Sequence, residues 1–218
     1  MAVVVAVAQQ TGGAGKTTLV ANLAAAWAAT RRVGVIDIDP QHSLARWHGL
    51  RAAQAPHGRK GQAAAGLPAI LCSDAAGWKL ANELERMARA VDLILVDSAP
   101  QVDTDARRAI RGAALVLVPV QPSLPDLWAA EGTMALAAAE KRPARLVMNR
   151  APARSRLRTT VEAEAARRGW ALLPAALGSR SAYAQAFAQG MGVTEASPRS
   201  AACVELLALV AAIEEILP

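Results

Sequence analysis

The chain has 218 residues, 53% hydrophobic and 19% charged, so it can bury a substantial core and is too apolar to remain disordered. Aromatic residues make up 3%, which leaves Ala, Val, Leu and Ile to build that core. Twenty-four Lys and Arg stand against 18 Asp and Glu, a net charge of +6 that suits a polyanionic partner. Two cysteines, Cys72 and Cys203, exclude a disulfide framework and a four-thiolate metal site, and each is expected as a buried, reduced thiol. The apolar runs are too short for a transmembrane helix, which needs about 18 such residues. The opening MAVVVAVAQQ has neither the basic start nor the small-residue cleavage site of a signal peptide, and it reads as a buried strand.

Short apolar runs then alternate with helical stretches. Strands are predicted over 2–8, 33–37, 67–72, 93–97, 114–118 and 146–149, with a weaker one at 171–173. They are continuous rather than alternating, as strands covered on both faces are. Helices are predicted over 16–29, 77–90, 104–111, 125–140, 157–168, 182–189 and 199–217. This order predicts an α/β fold: a doubly wound, mostly parallel sheet with helices on both faces, in one domain over 1–218. Residues 57–66 are small and polar and read as a loop. His42, His48 and His57 lack the spacing of a metal-binding helix and read as loop residues.

The strongest motif is QQTGGAGKTT, residues 9–18, between the first strand and the first helix. Its glycines let backbone N–H groups turn toward an anion, and the helix behind them presents its free amides and positive dipole end. Lys16 is placed to reach the β and γ phosphates of a nucleotide, and Thr17 to offer a hydroxyl to Mg²⁺. The common phosphate-loop pattern needs glycine six positions before Lys16, where this chain has Gln10. Downstream, VGVIDIDPQHS and VDLILVDSAPQ deliver Asp37, Asp39 and Asp97 toward the carboxyl ends of strands, where ligands of such sheets sit. A helix cap or a charged loop is the alternative for Asp37 and Asp39. Asp92 starts its strand at the opposite end and reads as solvated, while Asp103 and Asp105 suit the start of a helix.

The GGAGKTT run resembles the deviant phosphate loop of the ParA/MinD family of ATPases. The family's DxDPQ, IIDTPP-like and PVQPSPYD–W segments have counterparts in DIDPQ, LVDSAP and PVQPSLPDLW, and RLVMNRAP and the C-terminal stretch also fit. The resemblance implies ATP or ADP held by Thr11, Gly12, Gly13, Ala14, Gly15, Lys16, Thr17 and Thr18, and Mg²⁺ held by Thr17, Asp37 and Asp97. It gives Lys16 and Asp39 catalytic roles, with Asp39 orienting the attacking water, and puts Asn149 at the adenine edge, where a plain strand-end cap is the alternative. The chain departs from the family at Thr11. The family has a lysine there that reaches across an ATP-bound dimer, and threonine has neither the charge nor the length to do so. Trp128 is open between core and interface, with core the more frequent outcome for tryptophan.

The basic surplus concentrates in residues 141–180. By resemblance, Arg154, Arg156, Arg158, Arg167, Arg168 and Arg180 are candidates for non-specific DNA binding, against the alternative of a solvated basic face. The resemblance further implies an ATP-dependent homodimer and a ParB-like or cargo-adaptor protein that stimulates hydrolysis. It implies a cytoplasmic, nucleoid-associated role in positioning a plasmid, a chromosome origin or a protein cluster. The terminal stretch VELLALVAAIEEILP carries Glu205, Glu214 and Glu215 and no basic residue, which disfavours docking on anionic lipid. The competing reading is a metabolic P-loop enzyme such as an ATP-dependent carboxylate ligase. An iron–sulfur reductase is disfavoured for want of cysteines.

Overall fold

Runs of Val, Ile and Leu form six strands: β1 (Val3–Val7), β2 (Val33–Asp37), β3 (Ile70–Asp74), β4 (Leu93–Asp97), β5 (Leu115–Val120) and β6 (Ala144–Met148). The structure, a computed structural model, describes residues 2–54, 66–100, 104–152 and 156–218. His57, Asp103, Arg154 and most of the predicted loop at 57–66 lie outside the described residues. The strands make one parallel sheet in the order β3-β2-β4-β1-β5-β6. Every residue of β2, β4 and β5 is buried, which is why their sequences are unbroken apolar runs.

The helices are α1 (Lys16–Ala28), α2 (Ser43–Ala53), α3 (Leu80–Met87), α4 (Thr104–Gly112), α5 (Leu124–Ala129), α6 (Glu131–Ala139), α7 (Arg156–Arg167), α8 (Ser181–Ala188), α9 (Val193–Ala196) and α10 (Ala201–Glu214). Alternation along each strand splits the core into two layers. Val5, Val7, Val35 and Leu95 pack with Leu23 and Trp27 of α1, Leu44 and Trp47 of α2, Tyr183 of α8, Val193 of α9 and Leu206 of α10. Ala6, Ile36, Val96 and Val118 pack with Met87 of α3, Ile110 of α4, Leu127 of α5, Leu136 of α6 and Val161 of α7. The sheet is therefore covered on both faces, as predicted.

Several elements differ from the sequence reading. The stretch at 125–140 breaks into α5 and α6 at Ala130, and the one at 77–90 opens with a 3₁₀ turn, Gly77–Lys79. The stretch at 171–173 makes only an isolated bridge, Leu146 to Leu172. Helix α2 was not expected, and His48, read as a loop residue, sits within it with Nε2 2.8 Å from the Ile70 carbonyl oxygen. The buried positions of α2 are Leu44, Trp47 and Arg51, so one of its three anchors is a cation. Arg51 is tolerated there because its guanidinium pairs with Glu195 at 2.6 Å and donates to the carbonyls of Pro68 and Gly190. Trp128 is 52% exposed, not core. Cys203 is buried, but Cys72 is half-buried, and desolvation pushes its thiol up to about 12. Asp92 is exposed as expected and pairs with Arg32.

Candidate functional site

Strand register assembles the site. Val7 and Asp37 both pair with Asp97, so the last residues of β1, β2 and β4 lie side by side at one edge of the sheet. The chain leaves β1 there through Gln9–Gly15 and enters α1. Gly13 and Gly15 adopt positive φ, 81° and 88°, a conformation that glycine takes at little cost. A side chain at Gly15 would also strike the Asn149 amide, 2.5 Å from the Cβ position. The first bond of α1 runs from the Leu19 amide to the Gly15 carbonyl, which leaves the preceding amides to face outward as a helix N-terminus does. No side chain caps this end, and its first turn carries no acidic residue.

Lys16 is buried, and its ammonium donates to the carbonyls of Gln9 (3.1 Å) and Thr11 (3.4 Å). No carboxylate lies within ion-pair distance of it among the described residues. Burial lowers its pKa, against the opposing pull of Asp97, Asp39 and Asp126. A buried cation bonded only to neutral carbonyls is a site in want of an anion.

Asp97 completes the contrast. Its carboxyl is fully buried, and neither oxygen has a hydrogen-bond partner of normal geometry. Burial pushes its pKa up to about 8, while the nearby Thr17 hydroxyl and Lys16 act in the opposite direction. Two orphaned carboxylate oxygens beside a threonine hydroxyl are a hard-oxygen donor set, which fits a hydrated Mg²⁺.

Asp37 is also buried but spends both oxygens within the fold. It accepts from the Asp39 amide (3.0 Å) and the Ala45 amide (3.0 Å), so it shapes the turn after β2 and holds the start of α2. Its pKa is raised by burial, partly offset by those amides. Asp39 is half-buried, accepts from the Gln41 amide at 2.9 Å, and lines a cavity of about 430 Å³ with Gly12, Gly13, Lys16 and Thr17.

A second cavity of about 270 Å³ adjoins the loop, lined by Gly15, Thr18, Leu19, Asn149, Gly178 and Tyr183 among others. Asn149 braces the loop from this side. Its Nδ2 donates to the Ala14 carbonyl (2.8 Å), and its Oδ1 accepts from the Arg150 amide (2.9 Å). An amide has a second hydrogen and a second lone pair, so Asn149 can still meet a base edge in this cavity.

The structure brings the loop, Asp37, Asp39, Asp97 and Asn149 together. Of the candidate arginines among the described residues, Arg156, Arg158 and Arg167 lie on α7 and Arg168 directly follows it. Arg156 is exposed on α7, Arg158 pairs with Glu162 at 2.7 Å, and Arg167 and Arg168 pair with Glu164 at 2.7 Å. Arg180 instead lines the cavity beside Asn149 and is locked to Glu205, which also accepts from the Gly178 amide. Arg150 and Phe187, both cavity-lining, escaped the sequence reading. Arg150 directly follows Asn149 in RLVMNRAP, which could have drawn notice, whereas only the fold brings Phe187 to the loop.

Residues 5–193 match the family described as the CobQ/CobB/MinD/ParA nucleotide binding domain (CbiA). Over 200 residues the chain is 30% identical to maintenance of carboxysome distribution protein A of Halothiobacillus neapolitanus, covering 89% of this chain and 88% of that one. Its fold is similar to the septum site-determining protein MinD of Pyrococcus horikoshii complexed with Mg-ADP (TM-score 0.77, 19% identity, 99% of this chain and 97% of that one). It is also similar to the ATP complex of an McdA variant of Cyanothece (TM-score 0.75, 17% identity, 98% and 95%). The glycine-rich loop with its buried lysine, the parallel sheet that aligns Asp97 behind it, and a family match over most of the length lead to one assignment: the chain belongs to the CobQ/CobB/MinD/ParA family of nucleotide-binding domains.

Proposed function

We propose that this chain is a ParA-like ATPase that positions cargo. It binds Mg-ATP, closes into an ATP-dependent homodimer, holds DNA without sequence preference, and releases it when a ParB-like or cargo-adaptor protein stimulates hydrolysis. The observation that carries this reading is the pairing of a buried, carboxylate-free Lys16 with an orphaned Asp97 across one glycine-rich loop. The relatives named above, a carboxysome-distribution protein and the nucleotide complexes of MinD and McdA, support it.

Each residue then has a task. The amides of Gly12–Lys16 cradle the phosphates, and Lys16 exchanges its two carbonyls for β and γ oxygens. Thr17 offers its hydroxyl and Asp97 its carboxylate to the cation's hydration shell. Mg²⁺, when bound, neutralises charge developing on the phosphates. Among the described residues no three His, Cys, Asp or Glu converge as a metal cluster, so the cation would take its other ligands from nucleotide and water. Asp39 orients the attacking water, on a turn that Asp37 holds in shape. Thr11, whose hydroxyl oxygen is buried without a partner, cannot supply the family's cross-dimer cation.

In this reading the protein works in the cytoplasm on the nucleoid and without a membrane. No helix of the described residues is long and apolar enough to cross one. On α10, Glu205 and Glu214 are engaged by Arg180 and Arg31, and no basic residue lies in the last turn. Calorimetry with Mg-ATP, followed by turnover assays with and without DNA and with small carboxylates, tests the proposal. ATP uptake and DNA-responsive turnover are expected. Turnover that requires a small carboxylate would favour a ligase instead.

A further inference from the structure

The two cavities beside the loop share three lining residues: Gly15, Thr18 and Arg150. If the phosphate tail occupies the cavity of Gly12, Gly13 and Lys16, and the base occupies the cavity of Asn149 and Tyr183, the nucleotide must cross this junction with its α-phosphate. This step rests on the nucleotide reading above. Of the three shared residues only Arg150 carries charge. It is exposed and has no ion pair among the described residues, unlike Arg158, Arg167, Arg168 and Arg180.

Its position is built rather than incidental. Arg150 holds a left-handed backbone, φ 51°, which a non-glycine residue adopts at a cost. Its amide donates to Asn149 Oδ1, and Asn149 Nδ2 donates to Ala14 in the loop, so a single side chain ties Arg150 to the phosphate cradle. A planar guanidinium at that point can give two parallel hydrogen bonds to one phosphate. We propose that Arg150 binds the α-phosphate of the nucleotide held by its own protomer. Lys16 serves the β and γ phosphates, whereas a cation on the α-phosphate serves di- and triphosphates alike.

The test is calorimetric titration of wild type, Arg150→Gly and Arg150→Lys with Mg-ATP, Mg-ADP and adenosine. Glycine accepts the positive φ freely, so Arg150→Gly removes the cation without disturbing the backbone, and its melting temperature should not fall. About tenfold weaker binding of both ATP and ADP is expected in Arg150→Gly, as for the loss of one charge-assisted bond. Arg150→Lys should recover part of that loss, and adenosine should bind all three proteins equally. Unchanged ADP affinity in Arg150→Gly, or an equal loss for adenosine, would overturn the assignment. Wild-type protein that takes up no nucleotide would instead sink the reading on which the assignment rests.

Discussion

Charged side chains are arranged in opposite ways in two regions of this molecule. At the carboxyl end of the sheet, Lys16 and Asp97 are buried, among the described residues the one without a carboxylate in ion-pair reach and the other without a hydrogen bond of normal geometry. On α7 and just beyond it, Arg158 and Arg167 lie at the surface and Arg168 close to it, each with a glutamate already in place. Leaving a buried cation without an anion, or a buried carboxyl so poorly solvated that it holds its proton, costs free energy, and a fold retains such groups when a ligand supplies the missing partner. Surface pairs are screened by salt and contribute little. Charge density in a sequence therefore marks the second region, while unmet chemistry marks the first.

Four variants test this contrast. Lys16→Ala should weaken Mg-ATP binding roughly 100- to 1,000-fold, the loss of two charge-assisted hydrogen bonds. It also removes a buried unpaired cation, so the nucleotide-free melting temperature should not fall. Retained affinity by calorimetry would contradict the cradle. Asp39→Ala should lower turnover about 100-fold or more with ATP affinity nearly unchanged, since the part proposed for it is to orient water rather than to bind. Normal phosphate release would remove Asp39 from the mechanism.

Asp97→Asn should change the pH dependence of stability. In the folded, nucleotide-free protein the carboxyl keeps its proton up to about pH 8, whereas in the unfolded chain it loses the proton near 3.8. Its stabilising contribution is complete below about pH 4 and is lost as pH rises through about 8. The melting temperature should fall across that interval in wild type, with Asp37 acting in the same direction. Asp97→Asn should flatten the decline. An unchanged profile would mean that the carboxylate is better solvated than its burial implies.

The smallest effect belongs to α7. Arg156→Gln with Arg158→Gln should reduce the slope of log K for DNA against log salt by about 1 per protomer. Glu162 already holds Arg158, which leaves Arg156 as the principal phosphate contact of the two. A slope that does not move would assign this face to solvent.

Much of this was legible from residues alone. β2 and β4 match the predicted limits residue for residue, because strands buried on both faces must be written as continuous apolar runs. The glycine-rich turn between β1 and α1 was equally clear, since its glycines, lysine and threonine are contiguous in the chain. Helix α2 was hidden because one of its three inward positions is Arg51, whose partner Glu195 lies 144 residues further on. The exposure of Trp128, left open between core and interface, and the pairing of Arg180 with Glu205 were illegible for a related reason. Exposure and pairing depend on neighbours that no local pattern names.

Short-range chemistry, then, was set in the chain itself: a turn that frees amides, a lysine at its end, and apolar segments that carry carboxylates to strand tips. Parallel register determined the rest. It put Asp37 and Asp97 level with the end of β1, engaged both oxygens of the first and left those of the second unmatched. It also brought Asn149 and Arg150 from β6, two strands away, against the loop. Which of several identical carboxylates is satisfied and which is left waiting is a property of packing, because burial and distance, not residue type, decide whether a charge has a partner.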